Sequence, residues 1–189
     1  MTQNSSGNAP FKSLALGFLN GMIAAPMNQR PIIITVIGGS NAAQKDLDAA
    51  YQVGFELAKR GAIVLCGGMG GVMEAVCQGA KEAGGTTVGI MPGNTTEDAN
   101  AYVDIAIPTG LGYARNAIVA RAGGAIIAID GAYGTLSEIG HGLGDGTPIV
   151  GLNTWEFTID GVKDTTIERA ESPLDAVEKA LAYAEARRG

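Results

Sequence analysis

Along this chain, β-branched and largely apolar runs alternate with stretches in which apolar residues recur every three or four positions. The first run, Ile32 to Ile37, follows Pro31 and ends in Gly38-Gly39-Ser40-Asn41. Helical spacing then carries Leu47, Ala50, Tyr51, Gly54, Leu57 and Ala58 between Gln44 and Arg60. The unit repeats: Ala62 to Leu65 predicts a strand, Cys66-Gly67-Gly68-Met69-Gly70-Gly71 a turn, and Val72 to about Ala83 a helix. Thr86 to Met91 and Tyr102 to Ile107 predict two more strands, separated by the polar loop Asn94 to Asn100, and Gly110 to Ala122 predicts another helix. Ala125 to Ile129 reads as a strand buried on both faces. It leads through Asp130-Gly131-Ala132-Tyr133-Gly134-Thr135 into a helical segment from Leu136, which the glycines at 142, 144 and 146 end. Pro148 to Leu152 predicts a short strand, followed by a variable stretch around Trp155 to Thr166. Ser172-Pro173 then supplies the cap and first position of a last helix, with Leu174, Val177, Leu181 and Ala184 on its apolar face.

Strands that are apolar throughout, alternating with helices, predict a doubly wound, Rossmann-like parallel α/β sheet with helices on both faces. In such a sheet ligands bind outside the carboxyl ends of the strands, where the strand order reverses. Three glycine-rich turns, at 38–41, 67–71 and 131–134, each follow a strand and precede a helix, so the topology gathers them on one rim. Glycine lets backbone N–H groups approach a ligand, and a helix start adds partial positive charge; an anion is the expected guest. Residues 30–189 are expected to form this single domain.

Residues 1–29 follow no such pattern. They open with a polar Gln/Asn/Ser/Gly run and continue through an apolar stretch, Phe11 to Pro26, interrupted by Asn20. That stretch is short of the roughly 18 to 20 apolar residues that cross a bilayer. It reads as a disordered extension, a weak likeness to a secretory signal, a segment ahead of a start at Met27, or a helix docking on a neighbouring subunit.

Composition narrows the chemistry. A net charge of −6 argues against nucleic acid, which needs clustered cations, so a bound phosphate must be held largely by backbone donors. Cys66 and Cys77 read as buried, reduced thiols, consistent with a cytoplasmic protein. With one histidine, His141, and no clustered ligand set, no protein-ligated metal is expected. The dinucleotide fingerprint fails at Met73, where its third glycine would stand, and neither a Walker A sequence nor a G-x-S-x-G elbow occurs.

Two features offer side-chain chemistry. Glu138 lies one helical turn beyond Thr135, which places a carboxylate just under the anion; the same pair is equally a capping box that satisfies helix-end donors. Arg115, in Gly112-Tyr113-Ala114-Arg115-Asn116, either reaches the rim to grip phosphate in bidentate fashion or is a surface arginine paired to a carboxylate.

Arg115-Asn116, the stretch Asp130 to Glu138 and the segment Gly67 to Met73 resemble the LOG-like (lysine-decarboxylase-like, SLOG) superfamily, and within it the bacterial branch that includes molybdenum cofactor carriers. The likeness covers about Pro31 to Leu152. In the LOG phosphoribohydrolases the signature is P-G-G-x-G-T-x-x-E with an upstream Arg-Lys pair; Gly131, Gly134, Thr135 and Glu138 match it, and Arg115 stands at the arginine. Asp130 replaces the proline, Ala132 the second glycine and Asn116 the lysine. Arg115 and Glu138 are the implied catalytic pair if the chain is an enzyme that releases the base from a nucleoside 5'-monophosphate. The carrier branch implies instead that molybdopterin is bound through its terminal phosphate and handed unchanged to molybdoenzymes or a molybdenum insertase. A non-catalytic nucleotide-sensing module is a third reading. The implied ligand-binding set is Gly38, Gly39, Ser40, Asn41, Gly67, Gly68, Met69, Gly70, Gly71, Arg115, Asn116, Asp130, Gly131, Gly134 and Thr135, with Asp130 available to a pterin's amino group. A homo-oligomer, dimer or tetramer, is implied as well.

Overall fold

Apolar runs and amphipathic stretches become a parallel sheet of seven strands with helices on both faces. The structure is a computed structural model that describes residues 30–188, and the readings of residues 1–29 lie outside it. The strands are β1 (Ile33–Gly38), β2 (Ile63–Cys66), β3 (Thr87–Met91), β4 (Ile105–Pro108), β5 (Ala125–Ile129), β6 (Ile149–Leu152) and, beyond a small hairpin of β7 (Thr158–Ile159) and β8 (Val162–Lys163), β9 (Glu168–Arg169). Their order in the sheet is β4-β3-β2-β1-β5-β6-β9, all parallel.

Successive strand residues face opposite sides, which is why the central strands are apolar on both faces, apart from Thr35, whose hydroxyl donates to Val119 O at 3.2 Å. Ile34, Val36, Val64 and Ile127 pack under α1 (Gln44–Lys59), α2 (Val72–Glu82) and α5 (Pro173–Ala186), whereas Ile37, Leu65 and Ile126 pack under α3 (Asn116–Ala122) and α4 (Tyr133–Gly144). The last helix is capped as its sequence predicts, Asp175 N donating to Ser172 Oγ at 3.2 Å.

Some boundaries differ from the sequence reading. The fourth strand forms at 105–108 and not from Tyr102, because the Asp104 carboxylate accepts from Thr87 N at 2.9 Å and the chain turns just before it. The helix predicted from Gly110 begins at Asn116: Gly110 and Gly112 have φ of 66° and 55°, and Gly112–Arg115 forms only a 3-10 turn. Leu174 is exposed, so the packed face of α5 is carried by Ala176, Val177, Ala180 and Ala184. The three two-residue strands at 158–169 were not anticipated, since none contains an apolar run long enough to read.

Helices α1 and α2 touch backbone to backbone. A Cβ at Gly54 would lie 2.0 Å from Val76 O, and one at Gly79 would lie 2.0 Å from Tyr51 O. No side chain fits between them. Gly54→Ala and Gly79→Ala are therefore each expected to lower the unfolding free energy by about 1–3 kcal/mol, read as a reduced urea midpoint, because overpacking outweighs the gain in helix propensity.

Candidate functional site

Strands β1 and β5 lie side by side over five paired positions, Ile34 with Ala125 through Gly38 with Ile129. The chain leaves β1 towards β2 on one side and leaves β5 towards β6 on the other. Their carboxyl ends form the switch point where the crevice of such a sheet opens.

The first two turns are locked together by backbone. Gly71 has φ 68°, and a Cβ there would come within 2.4 Å of Gly39 O; Val72 N donates to the same carbonyl at 3.0 Å. Asn100 Nδ2 holds the second turn from outside, donating to Met69 O at 2.9 Å and Gly68 O at 3.2 Å. The third turn bends at Asp130, whose φ is 54°, and its carbonyl accepts from Thr154 Oγ1.

Helix α4 starts at Tyr133 with Ala132 as its N-cap and no side-chain cap. The capping-box reading fails accordingly. Thr135 is 2% exposed and its Oγ1 has no hydrogen-bond partner, while Glu138, 6% exposed, accepts from Arg115 Nη1 at 3.0 Å. Arg115 is not a surface residue either. It is 7% exposed, and Gly67 makes room for its guanidinium, because a Cβ there would stand 2.6 Å from Nη2. Its Nε is buried without a partner. Asn116 Nδ2 donates to Gly134 O at 3.4 Å, which ties the start of α3 to the third turn.

One pocket takes in Gly38, Gly39, Ser40, Met69, Arg115, Asn116, Gly134, Thr135 and Glu138 of the sequence-derived set. Gly67 lies behind Arg115, Gly68 packs on Met91, and Gly71 on the first turn, so these three shape the cradle from beneath. Asn41, Gly70, Asp130 and Gly131 are outside the lining. Met73, Tyr113 and Ala132 line the pocket and were missed. Tyr113 carried a usable signal, an aromatic two positions before the singled-out arginine; Met73 did not, since an apolar residue early in a helix reads as core. A separate groove by Tyr51, Phe55, Pro173 and Leu174 is mostly apolar and lies on other elements.

Burial pushes the Glu138 carboxyl up from its ordinary 4.5 to about 7, against the pull of the Arg115 charge and hydrogen bond. The pair is thus poised near neutrality, with unmatched donors on Arg115 and Thr135 beside the N–H groups of the α4 start. Such an arrangement has the chemistry to receive an anion, with a proton-accepting group at its floor. Cys66 and Cys77 are free and buried, their sulfurs 3.5 Å apart. Among the described residues no group of three or more His, Cys, Asp or Glu is placed to hold a metal, and no helix is long and apolar enough to cross a membrane.

A family model described as the SLOG cluster4 family matches residues 31–182. The molybdenum cofactor binding protein from the phototrophic bacterium Rippkaea orientalis is 36% identical in sequence, with a TM-score of 0.74 covering 82% of this chain and 98% of that one. The molybdenum cofactor carrier protein of Chlamydomonas reinhardtii is 33% identical, with a TM-score of 0.73 covering 82% and 99%. A probable cytokinin riboside 5'-monophosphate phosphoribohydrolase of Oryza sativa subsp. japonica is 37% identical over 112 residues, 56% of this chain; the match spans only 50% of the rice protein's length.

Because folding raises the Glu138 pKa, the folded state keeps a proton that the unfolded chain gives up between pH 4.5 and about 7. The contribution of this group to stability is complete below pH 4.5 and is lost as pH rises through 7. Wild type minus Glu138→Gln, compared by urea unfolding from pH 4.5 to 8, is expected to show that fall, and carboxyl NMR titration should place Glu138 near 7.

Proposed function

The chain belongs to the SLOG cluster4 family, and from that membership we propose that it binds and carries a phosphate-bearing small molecule, with the molybdenum cofactor as its cargo. The reading is carried by the buried donors left without partners, Arg115 Nε and Thr135 Oγ1, on two residues that line a pocket at the sheet's switch point. A buried polar group that lacks a partner costs about 1–3 kcal/mol, a cost that pairing with an oxygen-rich anion would offset. A phosphate has the acceptors for both groups and for the N–H groups at the start of α4. The cofactor ends in such a phosphate, and the two solved relatives at 36% and 33% identity are named for that cofactor. Its metal would be part of the cargo. Delivery to a molybdoenzyme or insertase, and assembly into a homo-oligomer, belong to the same proposal.

A second reading, a LOG-type phosphoribohydrolase, draws on one observation: Arg115 and Glu138 are paired at 3.0 Å, with Glu138 poised near pH 7 as an acid-base group would be. Three things weigh against it. Glu138 is buried and engaged with Arg115; the motif proline is Asp130, which adds negative charge beside the anion; and Asn116 replaces a lysine that would supply countercharge.

Anaerobic titration of the purified protein with molybdopterin is expected to give saturable binding with a Kd on the order of micromolar. Arg115→Ala should weaken it about tenfold or more, the loss of one charge-assisted contact. The same preparation should release no free base from a panel of nucleoside 5'-monophosphates. Base release that Glu138→Ala abolishes would replace the carrier by the hydrolase.

A further inference from the structure

Asp130 is out of place in a receptor built only for phosphate. Its carboxylate stands on the third turn, on the rim where the other groups offer N–H and guanidinium donors to an anion. Among the described residues it has no hydrogen-bond or ion-pair partner; only its backbone carbonyl is engaged, by Thr154 Oγ1. The backbone beneath it is left-handed at φ 54°, a conformation that Asp and Asn tolerate better than other residues with side chains.

Gly39 fixes where that carboxylate lies. A Cβ on Gly39 would come within 2.7 Å of Asp130 Oδ2, and Gly39 itself lines the pocket. The carboxylate therefore borders the pocket beside the first turn. The pocket has a wet side and a dry floor: Ser40 and Ala132 are exposed, whereas Arg115, Thr135 and Glu138 are buried. One aromatic ring shares the wet side: Tyr113 is 85% exposed and lines the pocket, whereas Tyr133 is outside the lining and pairs with Trp155, ring centroids 6.4 Å apart. An exposed ring beside a concave site presents a face on which a flat heterocycle stacks.

We propose that Asp130 reads the ring of the phosphate-bearing ligand, and that this ring carries the 2-aminopyrimidin-4-one edge common to pterins and guanine. That edge offers a ring N–H and an exocyclic amino group side by side, and a carboxylate accepts both at once through its two oxygens. Hypoxanthine lacks the amino group, and adenine pairs one donor with one acceptor. The assignment rests on the binding of a phosphate-bearing ligand proposed above and adds the residue that recognises its ring. It also gives a reason for an acidic residue on an anion turn: phosphate is held at the floor, and the carboxylate selects what is attached to it.

The test is calorimetric titration of the full chain with GMP, IMP, AMP, 7,8-dihydroneopterin 3'-monophosphate and inorganic phosphate. GMP and the pterin phosphate are expected to bind about tenfold or more tightly than IMP and AMP, the effect of a charge-assisted hydrogen bond. The tighter of the two then identifies the ring as purine or pterin. Asp130→Asn tolerates the left-handed backbone and keeps one acceptor oxygen, but cannot accept from both donors. It is expected to weaken GMP and pterin phosphate while strengthening inorganic phosphate, because a like charge is removed; a loss of fold would weaken all of them together. Equal binding of GMP and IMP, or a preference unchanged in Asp130→Asn, overturns the ring assignment while phosphate binding stands. Failure of every phosphate compound to bind sinks the receptor reading and this inference with it.

Discussion

Parallel pairing between β1 and β5 is the constraint on which the rest depends. Both strands are buried on both faces, so their positions are set by the two hydrophobic layers and by the register from Ile34 with Ala125 to Gly38 with Ile129. The chain leaves their ends in opposite directions, and a crevice opens between the departing turns. The first and third turns border that crevice because they have nowhere else to go. The second turn joins them through β2, the neighbour of β1 on its other side, and through the contact of Gly71 with Gly39.

Within the crevice the Arg115–Glu138 pair is a compromise between opposing forces. Taking both side chains out of water favours the neutral acid, while the guanidinium favours the carboxylate, and burial has the larger effect. Glu138 uses only Nη1 of the guanidinium, so an anion at the unpartnered Nε would share Arg115 with the carboxylate and, by bringing a second negative charge close, would favour the protonated acid.

The sheet was legible because its signal is redundant. The central strands are apolar runs broken only by Thr35, and each turn repeats the same glycine-rich punctuation, so the parallel α/β architecture and the rim follow from pattern alone. Local signals were weaker where tertiary contacts decide. Asp104 ends the loop before β4 by bonding to Thr87, seventeen residues away, and no local propensity encodes that bond. The Thr135-x-x-Glu138 spacing fits a capping box as well as an anion floor; what separates them is Arg115, which arrives from another helix and claims the carboxylate. Of the residues around the pocket, those with charge or glycine at a turn were readable, whereas Met73 looks like any core methionine until the fold turns it towards the rim.

The close crossing of α1 and α2 reaches beyond their own packing. Gly54 and Gly79 let the two helices meet without intervening side chains, and α2 begins at Val72, whose N–H is tied to Gly39 of the first turn. The helix acts as a splint between a rigid seam remote from the crevice and the rim itself. Backbone contacts thereby hold two of the three turns in register before anything enters the crevice, so a ligand docking there would not have to order them.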